Sequence, residues 1–206
     1  MIRVLGRANS INVQKVMWLT GELGLDVERV DIGGAFGGND QPEYLAKNPD
    51  GRVPTLEDGD FVLWESHSIV RYLAEKYGSS PWWPAKLEDR ALASKWMDYC
   101  LFNMHPPMTT IFWTLIRTPE AERDMDAVAK CVASASKFWK VVDGQLAKTN
   151  FLTGTAPCIG DIPLGCMVYR WYALDIDRPD LPNLRAWHDR LAERKAFQEH
   201  VMLPLT

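Results

Sequence analysis

"NPDGRVPTLEDGDFVLWESHSIVRYLAEKYG", residues 48–78, decides the fold. Two short strand-like runs, Thr55-Leu56-Glu57 and the apolar Phe61-Val62-Leu63-Trp64, lie on either side of Asp58-Gly59. Runs of that length divided by an aspartate-glycine pair predict a β-hairpin with a type I′ turn. The second run carries Phe61 and Leu63 on one face and Val62 and Trp64 on the other, so it is expected to be covered on both sides. The stretch 66–77 then places Ile69, Val70, Leu73 and Tyr77 at helical spacing, and Gly78 stops it. Pro54 abuts the start of the hairpin, although a residue without an N–H cannot donate to a ladder.

Working outward, residues 2–6 read as a strand. Val13, Val16, Met17, Thr20 and Leu23 repeat as a helix ended by Gly24, and residues 27–32 read as a second strand. A strand, a helix and a strand this close together imply a parallel βαβ unit. Residues 33–40 form a glycine-rich loop, and 42–47 a short helix. The order is β-α-β, a loop, then β-β-α. Residues 79–84, Ser-Ser-Pro-Trp-Trp-Pro, read as a linker. Only helices follow: 87–104, disturbed by Pro106-Pro107; one opened by Thr118-Pro119 and running to about 148; 159–172; 182–194; and a short tail after Lys195. The expected plan is an α/β domain over 1–78, a linker over 79–86 and an all-helical domain over 87–206.

The chain has 206 residues, 47% of them hydrophobic, which is enough for one large or two small domains. A net charge of −4 without a basic stripe argues against nucleic acid or an anionic membrane as partner. The first residues are too short an apolar run for a signal peptide, and no stretch is apolar enough to span a membrane. A cytoplasmic location is expected. Cys100, Cys131, Cys158 and Cys166 form no C-x-x-C pair, and the four histidines have no metal-ligand spacing, so neither a disulfide framework nor a metal site is expected. Eight of the nine tryptophans lie at or beyond Trp64, which fits an aromatic helical core or the wall of an apolar pocket.

A β-α-β/β-β-α unit joined to a helical half resembles the cytosolic glutathione transferase superfamily, in its bacterial, theta-like, serine-type form. The resemblance covers the whole chain. Its most specific part is residues 48–78: asparagine-proline-x-glycine, valine-proline, an acidic turn, then glutamate-serine-x-x-isoleucine. It implies a thioredoxin-like first domain with Pro54 cis. It also implies that the N–H and C=O of Val53 pair with the cysteinyl part of glutathione as a short antiparallel strand would. By the same resemblance Ser66, at a helix N-terminus, receives the γ-glutamyl carboxylate and Glu65 the ammonium. Arg52 or Asn39 takes the glycyl carboxylate. Asp98 faces the glutathione of the partner subunit in a homodimer. The nucleophile is the thiol of glutathione, and family members stabilise its thiolate with a tyrosine, serine or cysteine after the first strand. Neither tyrosine nor cysteine occurs among residues 1–43, so Ser10 is a candidate donor, and equally an N-cap. Asn12 competes with it.

In the helical half, Pro157-Cys158-Ile159-Gly160-Asp161 resembles the capping box of the family, with cysteine in place of its hydroxyl residue. His105, Met108, Phe112 and Trp113 are candidate walls of an electrophile pocket, at a spacing that a packed core also shows. The implied function is conjugation of the glutathione thiolate to apolar electrophiles in detoxification, with peroxide reduction as a related reaction. The alternative is a non-catalytic module that binds glutathione or a protein.

Overall fold

The structure, a computed structural model, describes residues 1–206. The chain divides into two compact units: Met1–Ser79 with Lys195–Leu203, and Ser80–Arg194 with Pro204–Thr206.

The first unit runs β1 (Ile2–Leu5), α1 (Ile11–Glu22), β2 (Val27–Val30), α2 (Pro42–Leu45), β3 (Thr55–Asp58), β4 (Phe61–Trp64) and α3 (Ser66–Tyr77). Its four-stranded sheet has the order β2-β1-β3-β4. β1 is parallel to β2 and antiparallel to β3, and β3 is antiparallel to β4. α1 and α3 pack together, and Val4, Val13, Val16, Trp18, Leu19, Leu56, Ile69, Val70 and Leu73 are excluded from water. Residues 195–203 join this unit because α9 (Lys195–His200) packs on α1. Phe197 sets its ring edge-on to Trp18 at 4.8 Å, and a Cβ on Gly21 would lie 2.9 Å from that of Ala196. The order of elements along the chain predicts this tail to belong to the helical domain over 87–206, and the packing on α1 places it with the first unit instead.

The hairpin differs from expectation in two ways. Its loop is Gly59-Asp60, between the paired Asp58 and Phe61, and of these two only Gly59 has a positive φ, at 63°. That is the pattern of a type II′ turn, which needs glycine only at its first central position, and not of type I′. β4 is also the edge of the sheet and is not covered on both sides: Phe61, Val62 and Trp64 are all exposed. Phe61 stacks on Tyr72 of α3 at 4.8 Å between ring centroids. An apolar run records side-chain type and not the number of neighbouring strands, so it does not separate an edge from a centre.

The second unit runs α4 (Leu87–Tyr99), α5 (His105–Phe112), α6 (Met125–Leu146), α7 (Asp161–Ala173) and α8 (Pro182–Ala192). π-turns over Cys100–Met104 and Trp113–Arg117 follow α4 and α5, so the chain stays helical from 87 to 117. Pro106 and Pro107 fall in the first turn of α5, directly after a π-turn, and do not break it. The next helix starts later than its Thr118-Pro119 pattern suggests. Thr118 Oγ1 donates back to the Trp113 carbonyl at 3.1 Å, and the cap is Asp124, whose carboxylate accepts from the Ala127 N–H at 2.8 Å. Trp139, Trp171 and Trp187 are fully buried, which makes core the fate of at least these three indoles.

Asp161 organises the start of α7. It is wholly buried and accepts from the Leu152 N–H (3.1 Å), the Cys158 N–H (3.0 Å) and the Trp187 indole N–H (3.1 Å). The Cys158 sulfur accepts from the Gly160 N–H at 3.4 Å, so a thiol fills the hydroxyl position of the capping box. Burial, with the Asp161 charge beside it, pushes the Cys158 thiol up to about 12, which removes it as a nucleophile at neutral pH.

Candidate active site

Four segments of the first unit converge at one end of its sheet. The hairpin register pairs Thr55 with Trp64, so Val53-Pro54 and Glu65-Ser66 emerge side by side. Gly6 follows β1, and a Cβ there would lie 2.5 Å from Val13 and 3.1 Å from Val53, so only glycine lets the start of α1 and the Val53 loop approach. The loop 33–39 closes the fourth side: a Cβ on Gly33 would lie 3.3 Å from Val53.

The Val53–Pro54 bond is cis. The preceding carbonyl, of Arg52, is held by the Tyr44 hydroxyl at 2.5 Å and the Asn48 amide at 2.7 Å, and the Tyr44 hydroxyl accepts from Thr55 Oγ1 at 2.8 Å. These bonds fix the loop up to Arg52. Neither the N–H nor the C=O of Val53 bonds to anything in the protein. A half-buried backbone pair of this kind is an open edge for an extended peptide.

Glu65 is the only non-glycine residue with a positive φ, at 72°. A side chain held there costs on the order of 1–3 kcal/mol and marks sites where the backbone is aimed for a purpose. Its carbonyl opens α3 by accepting from the Ile69 N–H, and Ser66, buried, occupies the first turn. The dipole of α3 places partial positive charge at this spot, next to the Glu65 carboxylate.

Both candidate thiolate donors are present. Ser10 is in the N-cap position of α1, with extended backbone and its carbonyl accepting from the Gln14 N–H, yet its hydroxyl caps nothing. Asn12 is one residue inside the helix. Its Oδ1 accepts from the Lys15 ammonium at 2.9 Å and stands 3.4 Å from the Ser66 hydroxyl, which ties α1 to α3.

Of the two residues suggested for the glycyl carboxylate, Arg52 is exposed and pairs with Asp50 at 3.2 Å. Asn39 turns its amide N–H to the Gly51 carbonyl at 2.7 Å. Sequence reasoning passed over Arg7. Its guanidinium lies against the glycine loop, where a Cβ on Gly34 would sit 2.9 Å from its Cδ, and it makes no hydrogen bond or ion pair in the protein. Burial lowers its pKa from the ordinary arginine value.

In the second unit, the four residues suggested for an electrophile pocket do not share one environment. Met108 and Phe112 are buried, and the Arg170 guanidinium lies 4.0 Å from the Phe112 ring centroid. His105 is half-buried against Thr109 at 3.3 Å, and Trp113 is exposed with Arg117 over its ring at 4.7 Å. Asp98 is exposed on α4. No helix of the chain is long and apolar enough to cross a membrane.

Comparison with known proteins gives this arrangement a family. Residues 2–75 match the glutathione S-transferase N-terminal domain, and residues 125–190 match the C-terminal domain. The chain is 37% identical to glutathione S-transferase GstB of Escherichia coli K12 over the full length of both. It is 32% identical to glutathione S-transferase 3 of Zea mays, over 97% of this chain and 93% of that one. Among solved structures it is similar to the theta class glutathione S-transferase of Xanthomonas axonopodis pv. citri with glutathione bound. That match has 44% identity and a TM-score of 0.96, over 100% of this chain and 99% of that one. The chain belongs to the glutathione S-transferase family, with a thioredoxin-like N-terminal domain and a helical C-terminal domain.

Proposed function

We propose that this protein is a glutathione transferase that attacks apolar electrophiles with the thiolate of bound glutathione. The observation that carries this is the open N–H and C=O of Val53 beside Glu65, the one side chain held at positive φ. Glutathione needs main-chain partners for its cysteinyl unit, a cation-accepting group and two anion-accepting groups. Val53 supplies the first, Glu65 the second, and Ser66 at the α3 N-terminus one of the third kind. The sulfur then lies toward Ser10 and Asn12. Once ionised, it uses its electron pair to form a carbon–sulfur bond, and the leaving group departs with the pair of the bond that breaks. Peroxide reduction is a related reaction of the same thiolate. Calorimetric titration of glutathione, run beside a spectrophotometric screen of electrophiles, tests the reading. Binding with turnover supports it, binding without turnover makes the protein a glutathione-binding module, and no binding overturns it.

Arg7 is the better partner for the glycyl carboxylate, since its guanidinium is partly desolvated and unengaged whereas Arg52 is in water beside Asp50. Charge-assisted hydrogen bonds are worth about 1.5–3 kcal/mol. Arg7→Ala is therefore expected to weaken glutathione binding by roughly tenfold or more, and Arg52→Ala by less than about threefold. Equal losses in calorimetry would return the role to both residues.

The protein works as a cytoplasmic detoxification enzyme and as a homodimer in this reading. Leu87 and Leu92 on α4, and Leu101 and Phe102 on the π-turn after it, are large apolar side chains left exposed. A run of this kind marks a surface that another chain covers. The interface takes in α3 and the helix from Leu87 to Met104, with Asp98 near the glutathione of the partner. Sedimentation equilibrium at micromolar concentration is expected to give twice the 23.4 kDa of one chain. A mass of one chain would refute the dimer.

A further inference from the structure

Lys15 breaks two local rules. It is 1% exposed, and its ammonium lies in the first turns of α1, near the positive end of that helix. Burying an ammonium is costly unless it is paired, and this position adds to the cost. Such departures collect where a side chain has a task besides folding. The ammonium makes two bonds that are on view: to Asn12 Oδ1 at 2.9 Å and to His67 Nε2 at 3.1 Å.

The chemistry of these bonds fixes two orientations. An ammonium has three donors and no acceptor. The Asn12 atom that faces it must therefore be the oxygen, and the imidazole nitrogen that faces it must carry a lone pair. His67 thus accepts through Nε2 and carries its ring proton on Nδ1, which is buried and has no hydrogen-bond partner. The amide of Asn12 cannot flip, because a flip would set two donors against each other. Its Oδ1 also stands 3.4 Å from the Ser66 hydroxyl. Its Nδ2 makes no bond in the protein and remains as an N–H donor at the end of the sheet where Val53, Glu65 and Ser66 converge. An asparagine free to rotate would present oxygen there part of the time, and oxygen repels a thiolate.

We infer that Lys15 is a positioning residue, whose ammonium clamps Asn12 Oδ1 so that Asn12 Nδ2 donates to the glutathione sulfur. This rests on the glutathione transferase reading and adds to it. It assigns the sulfur to Asn12 ahead of Ser10, and it gives the buried lysine its purpose. His67 holds the ammonium from α3, so the clamp spans both helices that meet at the site.

The test follows the ultraviolet absorption of the glutathione thiolate against pH in saturated complexes, with affinity measured by calorimetry. Lys15→Met keeps length and removes every donor. It is expected to raise the midpoint by about one unit, which cuts the thiolate fraction about tenfold at a pH well below both midpoints, and to leave affinity within about threefold. Asn12→Ala should raise it as far, and the double variant no further than Asn12→Ala alone, since Lys15 acts through Asn12. Asn12→Asp keeps the partner of Lys15, so it folds even if Lys15→Met does not. It turns an anion to the sulfur and should raise the midpoint beyond that of Asn12→Ala. An unshifted Lys15→Met midpoint, a double variant that adds the two effects, or an Asn12→Asp midpoint no higher than that of Asn12→Ala overturns the role of Lys15. Glutathione that does not bind the unaltered protein overturns the functional reading beneath it.

Discussion

Glu65→Gly should weaken glutathione binding by about ten- to a hundredfold and leave the thermal midpoint unchanged or slightly higher. The two halves of that result have separate causes. The carboxylate is expected to accept from the ammonium of glutathione, and a hydrogen bond between charged groups is worth about 1.5–3 kcal/mol, which is the stated loss of affinity. The backbone is at φ 72°, ψ 109°, where a side chain is held under strain and glycine is not. Removing the side chain therefore relieves the fold, against a glycine cost of about 0.5–1 kcal/mol in the unfolded chain. Glu65→Gln keeps the shape and drops the charge. It should match Glu65→Gly in affinity and the unaltered protein in stability. If calorimetry shows affinity intact while the thermal midpoint falls, Glu65 serves the fold and the ammonium has another partner.

The hairpin and the helix after it were legible because their signals are local: alternating runs, an aspartate-glycine turn, a helical stripe and a closing glycine. Features that depend on distant neighbours were not. That β4 is an edge follows from strand order, which residues 61–64 do not encode. The placement of α9 against α1 depends on Phe197 meeting Trp18, 179 positions apart in the chain. Val53, Pro54, Glu65 and Ser66, which the fold brings together, could be proposed from the sequence because their pattern is compact. The roles proposed for Arg7 and Lys15 were not read from the sequence, for opposite reasons. Arg7 is proposed because the glycine loop lies against it, and only the fold brings the two together. Lys15 had a signal: in the stripe from Ile11 to Trp18 it is the one charged residue, three positions after Asn12. A lone lysine on an apolar helical face, with an amide one turn before it, is a pattern worth testing for a buried clamp.

Asp161→Ala should cost the protein much of its stability without touching the glutathione site. Three N–H groups, from Leu152, Cys158 and the Trp187 indole, lose their acceptor in a site closed to water. Each orphaned donor costs about 1–3 kcal/mol, so the total is on the order of 3–9 kcal/mol, against about 5–15 kcal/mol for a whole protein. At about 2–4 °C per kcal/mol for a chain of this size, the thermal midpoint should drop by about 6–36 °C. Asp161→Asn keeps one acceptor oxygen and should lose less. The pH dependence tests the cause. Two effects oppose each other at this carboxyl: burial disfavours its charge, and the three donors favour it. Burial is the larger, and the pKa is raised from 3.8 to about 6. The folded state therefore binds the proton more tightly than the unfolded state does. This contribution to stability is full below about pH 4 and is lost as pH rises through about 6, by on the order of 3 kcal/mol. The gap between the unaltered protein and Asp161→Ala, read from urea midpoints, should widen from pH 7 to pH 4. A gap that narrows on acidification means that the three N–H donors outweigh burial, and that Asp161 does its work as an anion throughout.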